Sequence, residues 1–93
     1  MKKIDLIKQA KEIFLERKDI GMCYALTLAH WNNHKSMYPK LSENLPEFNR
    51  KFLNPESNSD NPFWWNRNDK ESRIKAFDKL IEIYKDSNEE WND

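Results

Sequence analysis

The feature that most constrains the fold is an apolar periodicity late in the chain, within the stretch from Pro62 to Tyr84. Apolar side chains recur there with the spacing of one helix face, at Ile74, Phe77, Leu80, Ile81 and Tyr84. Such a stripe predicts an amphipathic helix. Asn68, followed three residues later by Glu71, is typical of a helix start, because both side chains can satisfy exposed backbone amides. We therefore predict a final helix that begins near Asn68 and ends at about Lys85.

Three large aromatic residues, Phe63, Trp64 and Trp65, stand before this helix. In an extended approach successive side chains point to opposite faces, so Trp64 and Trp65 are predicted to have different roles. One would pack in the core, and the other would face a groove, a partner or a ligand. Arg73 lies in the first turns, where a cation opposes the helix dipole. It is therefore expected to pair with a carboxylate such as Glu71 or to hold a bound phosphate.

Composition favours a small helical protein and excludes several classes. Gly occurs once in 93 residues, which argues against glycine-rich phosphate loops and against sheets with tight turns. Sixteen basic and sixteen acidic side chains give a formal net charge of zero, whereas duplex DNA binders normally have a basic excess. One cysteine excludes an intramolecular disulfide, and neither a signal peptide nor a membrane span is evident. We expect one cytoplasmic all-α domain of three to four helices.

Two further helices are predicted in the first third of the chain. The stretch from Ile4 to about Lys18 has an apolar stripe with charged residues on its other side. It ends at the break from Asp19 to Gly21, where Gly21 is predicted to supply a left-handed cap or a close backbone approach. Met22 to about Asn33 then forms a helix without a charged residue. A helix that is apolar nearly all round is either buried centrally or packed against a partner chain.

One face of this second helix carries a polar line, Cys23, Thr27, His30 and His34. Cys and His are zinc ligands, and the i, i+4 spacing of His30 and His34 brings two imidazoles together. The glutamate of an HExxH motif is missing, and no second ligand cluster lies elsewhere in the sequence, so a satisfied histidine pair at the core boundary is favoured over a metal site. Cys23 is disfavoured as a nucleophile, since a thiol buried on a helix is inert unless a cation lowers its pKa.

The remaining segments are predicted from turn residues and short apolar repeats. Residues 35–45 form a connector, and Pro46 starts a short helix that ends near Leu53. Residues 54–61 form a polar loop that is expected to be flexible. Residues 86–93 form a charged tail with one aromatic residue, Trp91.

Three arginines are candidates for binding an anionic ligand. Arg50, Arg67 and Arg73, together with a tryptophan face, could form a site in which a base stacks and guanidinium groups hold a phosphate. The simpler alternative is that Arg50 and Arg67 are ordinary surface charges and that Arg73 pairs with a neighbouring carboxylate. In this alternative the tryptophans pack in the core over the final helix. Periodicity alone favours this alternative for each residue.

A family resemblance supplies a functional expectation. The pattern F-W-W, a short polar loop and D-x-E-S-R-I-K-A-F-D-x-L-I-x-x-Y, from Phe63 to Tyr84, is similar to that of a recurring class of small bacteriophage proteins. Those proteins also have an N-terminal amphipathic helix, a G-x-C-x-A-L start to the second helix and an L-P-E-F segment, which correspond to Gly21–Leu26 and Leu45–Phe48 here. The resemblance covers most of the chain, although the matched residues are mainly packing residues. Part of this class resembles phage immune-evasion sponges, compact oligomers that bind a cyclic nucleotide signal between subunits without cleaving it.

The resemblance implies a phage-encoded homo-oligomer that sequesters a cyclic dinucleotide-type signal of CBASS-type defence in the host cytoplasm. Such a site needs cations for two phosphates, flat surfaces for two bases and few catalytic groups. The candidates are Arg50, Arg67 and Arg73 for the phosphates and Tyr24, Trp64 and Trp65 for the bases. We expect no enzymatic activity, no cofactor or metal, and no binding to duplex nucleic acid or membranes. The alternative is a host-takeover adaptor that binds a host protein through an aromatic surface, and an enzyme that uses the Cys23 and histidine line ranks last.

Overall fold

Four helices form the part of the chain that the computed structural model describes, which comprises residues 1–17, 19–46 and 70–92. They are α1 (Lys3–Glu16), α2 (Met22–His34), α3 (Leu41–Asn44) and α4 (Lys70–Tyr84). These residues contain no strand, only an isolated bridge between Lys2 and Glu90. The predicted all-α class is therefore confirmed. None of the helices described here combines the length and the apolar character that crossing a membrane requires.

The long helices agree with the sequence pattern to within a few residues. α1 and α2 begin and end close to the predicted positions, and α4 continues to Tyr84, as the apolar stripe indicated. Asn68, the predicted start of the last helix, lies outside the described residues, as do residues 47–53 of the predicted short helix and the loop at 54–61. α3 lies within the stretch that was predicted to be a connector.

The prediction for Gly21 was wrong. Its φ of −88° and ψ of 171° are extended, and it is the N-cap of α2 rather than a left-handed end of α1. Among the described residues, the nearest neighbour of a Cβ built on Gly21 would lie at 4.0 Å, which is ordinary contact, so none of them makes a close approach that requires glycine. The left-handed positions are instead Lys35, which ends α2 with φ 57°, and Lys40, which precedes α3 with φ 50°.

The core forms where α1 packs against both α2 and α4. The largest apolar side chains without solvent exposure are Leu6, Ile7, Leu26, Leu45, Phe77 and Leu80. Phe14 of α1 and Phe77 of α4 stack at a tilt, with ring centroids 5.5 Å apart. Each such side chain contributes roughly 1.5–3 kcal/mol when it is fully removed from water. On α4, Phe77, Leu80 and Tyr84 are buried and the rest of the predicted stripe is partly buried, so the stripe is confirmed as the core face.

Asn44, at the end of α3, is a fully buried polar residue with satisfied hydrogen bonds. Its side-chain Nδ2 donates to the carbonyl oxygens of Pro39, at 2.9 Å, and Asn92, at 2.8 Å. Its Oδ1 accepts from the backbone N–H of Asn92 at 2.7 Å. A buried amide without partners would lower the stability of the fold by about 1–3 kcal/mol. The two bonds to the Asn92 backbone therefore hold the end of the chain against α3.

Residues 86–92, which we call the C-terminal segment, lie against the start of α1 and against α2. The backbone N–H of Lys3 donates to Glu89 at 3.0 Å, and that of Trp91 donates to Met1 at 2.8 Å. Trp91 is only 4% exposed, and its Nε1 donates to Nδ1 of fully buried His30 at 2.9 Å. The segment has the charged composition that was predicted, but its aromatic residue belongs to the core.

Replacing the buried indole is expected to be far more costly than replacing an exposed one. Trp91→Ala should lower the free energy of unfolding by about 3–5 kcal/mol, because it leaves a cavity and removes the hydrogen bond to His30. Trp31→Ala is the matched control, since Trp31 is 42% exposed, and should lose less than half as much. Urea unfolding followed by circular dichroism measures both values. Equal losses in the two variants would contradict the placement of Trp91.

The contact between the Met1 ammonium and Glu90 predicts a pH dependence. The ammonium donates to the Glu90 carboxylate at 2.8 Å, and this bond and the charge of the ammonium lower the pKa of Glu90 below its ordinary value. A lowered pKa contributes stability above the ordinary value of about 4.5, and this contribution is lost as the pH falls through the folded-state value.

Between about pH 5 and pH 3, the unfolding midpoint of the unmodified protein should therefore fall more than that of Glu90→Gln. The difference should be small, because Glu90 is exposed. Glu12→Gln, which removes another exposed carboxylate from α1, should behave like the unmodified protein. Thermal unfolding across this pH range is the measurement, and parallel curves for Glu90→Gln and Glu12→Gln would contradict the expectation.

Candidate functional site

Two of the predicted ligand-binding residues, Tyr24 and Arg73, lie in the part of the chain that the structure describes. Tyr24 is in the first turn of α2, and Arg73 is near the start of α4. The others, Arg50, Trp64, Trp65 and Arg67, lie outside the described residues and remain predictions. The site is therefore built from α2 and α4.

The N-terminus of α2 presents backbone donors. Gly21 is the N-cap and has no side chain to accept from them. The first helical hydrogen bond of α2 runs from the N–H of Ala25 to the carbonyl of Gly21, at 3.1 Å. The amides of Met22, Cys23 and Tyr24 therefore have no acceptor within the helix. The first turn of α2 also has no acidic residue, so its positive dipole end keeps its full attraction for anions.

The Arg73 side chain reaches from α4 to this helix end. A guanidinium nitrogen, Nη2, is 4.0 Å from the position that a Cβ on Gly21 would take. The charge of Arg73 also acts on the Cys23 thiol in the first turn of α2 and lowers its pKa. Both effects follow from one position of the guanidinium, which lies beside the first turn of α2. No local sequence pattern predicts this contact, because it joins residues 52 positions apart.

The electrostatics of this arrangement favour an anion. A cation beside the positive end of a helix is unfavourable by itself, typically by about 0.3–1 kcal/mol. An anion held at this end interacts favourably with the helix dipole and with the Arg73 guanidinium at once. Guanidinium groups and helix N-terminal amides are both common phosphate ligands. The arrangement can therefore bind a phosphate or a carboxylate.

Tyr24 supplies a flat surface one residue beyond Cys23. Its side chain is 46% exposed, so one part of the ring packs on the protein and another part is open to solvent. A half-exposed aromatic ring next to an anion site can stack on a base or a similar flat group. Tyr24, which was predicted to stack on a base, thus belongs to the helix turn that the Arg73 guanidinium approaches.

The environment of Cys23 disfavours a catalytic thiolate. Although the residue as a whole is exposed, partial desolvation of its thiol raises the pKa above the ordinary value, and the nearby Arg73 charge lowers it by a smaller amount. The net shift is upward, so the thiol is protonated at neutral pH. A protonated thiol is a poor nucleophile and a poor metal ligand.

The residues of the predicted polar line on α2 differ in exposure, from exposed Cys23 to buried His30. Cys23 is exposed, and its carbonyl accepts from the Thr27 hydroxyl at 2.9 Å. His30 has no solvent exposure, and its ring lies 4.8 Å from that of His34, centroid to centroid. Because Nδ1 of His30 accepts from Trp91, the proton of its neutral ring is on Nε2. Among the described residues no group of three Cys, His, Asp or Glu side chains could hold a metal ion.

Sequence reasoning missed two features of α2. It placed Gly21 at the end of α1, although a glycine directly before an apolar run is also an accepted N-cap residue. It also did not single out Trp31, whose ring is 42% exposed. The spacing of Tyr24 and Trp31, seven residues apart, would have placed both rings on one helix face.

No family model, curated protein or solved structure matches this chain. We therefore infer the function from the chemistry of the site and from the resemblance that the sequence suggests.

The reactivity of Cys23 reports on the placement of Arg73. Arg73→Ala removes the charge that lowers the thiol pKa, so the pKa should rise further. The pH at which iodoacetamide alkylation reaches half its maximal rate should move upward, and the rate near pH 8 should fall a few-fold. Arg17→Ala, which removes an exposed arginine at the end of α1, should leave the profile unchanged. An unchanged profile in Arg73→Ala would show that the guanidinium is not beside α2.

Proposed function

We propose that this protein binds and sequesters a cyclic dinucleotide-type anti-phage signal without cleaving it. On this proposal it is a phage-encoded, homo-oligomeric immune-evasion protein in the host cytoplasm. The observation that carries the proposal is the position of the Arg73 guanidinium beside the N-terminus of α2. The resemblance to phage sponges supplies the ligand class.

The phosphate of such a ligand fits the charge of this site. A guanidinium offers parallel N–H donors to two phosphate oxygens, and the first-turn amides of α2 offer further donors. Arg73 and the helix end come from different elements, α4 and α2, so the folded protein holds them in place before the ligand arrives. Preorganised donors bind more tightly because little conformational entropy is lost on binding.

The base of the ligand is assigned to Tyr24. Stacking of a base on an aromatic side chain contributes about 1–3 kcal/mol, and it tolerates different bases. Arg50, Trp64, Trp65 and Arg67 remain the predicted ligands for the rest of the molecule. One phosphate site and one ring account for half of a cyclic dinucleotide, and a second copy of the chain would supply an equivalent half.

Sequestration requires affinity rather than chemistry. A binder that is present in excess over the signal lowers the free signal concentration without any bond being broken. The Cys23 thiol beside the site has a raised pKa, so it offers little thiolate to attack a phosphodiester. This property is consistent with capture. It also gives the proposal a direct check, because the ligand should be recovered intact.

The test is thermal unfolding of the protein with a panel of cyclic di- and trinucleotides. A ligand at 100 times its dissociation constant adds about 2.7 kcal/mol to the stability of the folded state. For a domain of this size, each kcal/mol raises the midpoint by roughly 4–8 °C. The cognate signal should therefore raise the midpoint by roughly 10–20 °C.

Two variants distinguish ligand binding at this site from a general effect of losing one positive charge. Arg73→Ala should lose most of the ligand-induced shift while keeping its helical content, and Arg17→Ala should keep the shift. Chromatography of the released ligand should return the intact nucleotide. No shift with any nucleotide would contradict the proposal and favour the host-protein adaptor, and a shift that Arg73→Ala retains would contradict this site.

A further inference from the structure

The face of α2 directed away from the core is uncharged. We call it the α2 outer face and define it by Tyr24, Leu28 and Trp31, which recur at i, i+4 and i+7. At 100° per residue these positions lie opposite the buried face of α2, which comprises Met22, Ala25, Leu26, Ala29 and His30. Tyr24 is 46% exposed, Trp31 is 42% exposed and Leu28 is half-buried.

The outer faces of the other two long helices are charged. On α1 the exposed positions include Asp5, Lys8, Glu12 and Glu16. On α4 they include Lys70, Glu71, Lys75, Asp78, Lys79 and Glu82. A surface helix normally carries charged and polar residues on its solvent side. α2 has no charged residue from Met22 to Asn33, and the most exposed large side chains on its outer face are aromatic, so this face has the character of a contact surface.

Aromatic residues are the main component of this face, and cations lie at its edge. The Lys35 ammonium stands over the Trp31 ring, 5.9 Å from its centroid. Met37 and Tyr38, directly beyond α2, are 45% and 81% exposed. Aromatic residues and methionine are enriched at the centres of protein interfaces, whereas lysine is depleted there. This arrangement places the centre of an interface near Leu28 and its rim near Lys35.

We propose that the α2 outer face is the contact surface between two copies of this chain. Charge decides the occupant. If the outer face of α1 or α4 of another copy packed against the α2 outer face, its charged side chains would lose water. They would find no opposite charge on α2, and this would be unfavourable. Among the long helices of the described ranges, the α2 outer face is the uncharged surface, so its best match is the same face of a second copy. A two-fold axis brings these two identical surfaces together.

The order of residues along the face favours an antiparallel pair. The point midway between Tyr24 and Trp31 falls next to Leu28, so a two-fold axis there places each tyrosine against the partner's tryptophan. Offset aromatic pairs of this kind contribute about 0.5–1.5 kcal/mol beyond the burial of their area. The antiparallel arrangement also places the two Lys35 ammonium groups at opposite ends of the interface, which limits their repulsion.

The size of the face predicts a weak dimer. α2 has 13 residues and is therefore about 20 Å long. Its partly exposed side chains bury a few hundred Å² per copy, below the roughly 800 Å² per partner of a standard stable interface. Dissociation in the micromolar range is therefore expected, and the measurement must cover it.

Sedimentation velocity from about 1 to 300 μM, without nucleotide, is the first experiment. The unmodified protein should change from monomer to dimer within this range. Trp31→Glu places two charges in the interface and should weaken the dimer at least tenfold. Ile83→Glu on α4 is the matched control, because Ile83 is also 42% exposed, and it should dimerise normally. A monomer at every concentration, or equal weakening in both variants, would overturn the proposal.

Cysteine cross-linking tests the arrangement independently of affinity. In a Cys23→Ser background, Leu28→Cys should form a disulfide-linked dimer when copper phenanthroline and oxygen oxidise the two thiols. Ile83→Cys should remain monomeric under the same conditions. Trp31→Cys should cross-link poorly to itself, because equivalent positions are about 10.5 Å apart along an antiparallel pair. Efficient cross-linking through Trp31→Cys would overturn the antiparallel arrangement.

This proposal does not rest on nucleotide binding. The α2 outer face is defined by its exposure and lack of charge, and both experiments are done without ligand. A protein that dimerises through α2 but binds no nucleotide would refute the proposed function alone. A monomer that is stabilised by a nucleotide would refute the dimer alone.

Discussion

The hydrogen bond between Trp91 and His30 is the contact on which the arrangement of the chain depends. Both groups are costly to bury alone, because an indole N–H and an imidazole nitrogen lose water when the core closes. The bond, at 2.9 Å, satisfies both. It holds the C-terminal segment on α2, and the same segment joins the start of α1 through the bond from Trp91 to Met1. In a chain of 93 residues, one large aromatic side chain is a substantial share of the core.

Because its core face is fixed in this way, α2 presents two further surfaces in defined directions. Its N-terminus lies beside the Arg73 guanidinium from α4, and its outer face points away from α1 and the core. The three surfaces belong to one helix of 13 residues, so they cannot move independently. Tyr24 belongs to both the N-terminal site and the outer face. In the proposed antiparallel pair, the N-terminus of the partner's α2 would lie at the opposite end of the interface, so this dimer would not bring the two anion sites together.

On the proposed function, the site at the N-terminus of α2 would act by recognition. The donors are one guanidinium and a helix end, and the neighbouring thiol has a raised pKa. Those groups can hold a charged, flat molecule, but an attacking nucleophile would need the opposite shift. The protein's zero formal charge is consistent with such a local site, since a small anionic ligand needs only a few cations near one point and no extended basic surface.

The sequence by itself determined α1, α2 and α4, because helix periodicity depends on residues three or four positions apart. It also proposed Arg73 and Tyr24 as ligand-binding residues, and that assignment stays a prediction. Only the tertiary structure decided that Trp91 is a core residue, since its partner His30 is 61 positions away. The same holds for Asn44, which binds Asn92 across 48 positions, and for the meeting of Arg73 with Gly21. A charged tail or a polar connector has no local pattern that shows what it will contact. Those contacts exist only because the packing of α1 between α2 and α4 brings distant segments together.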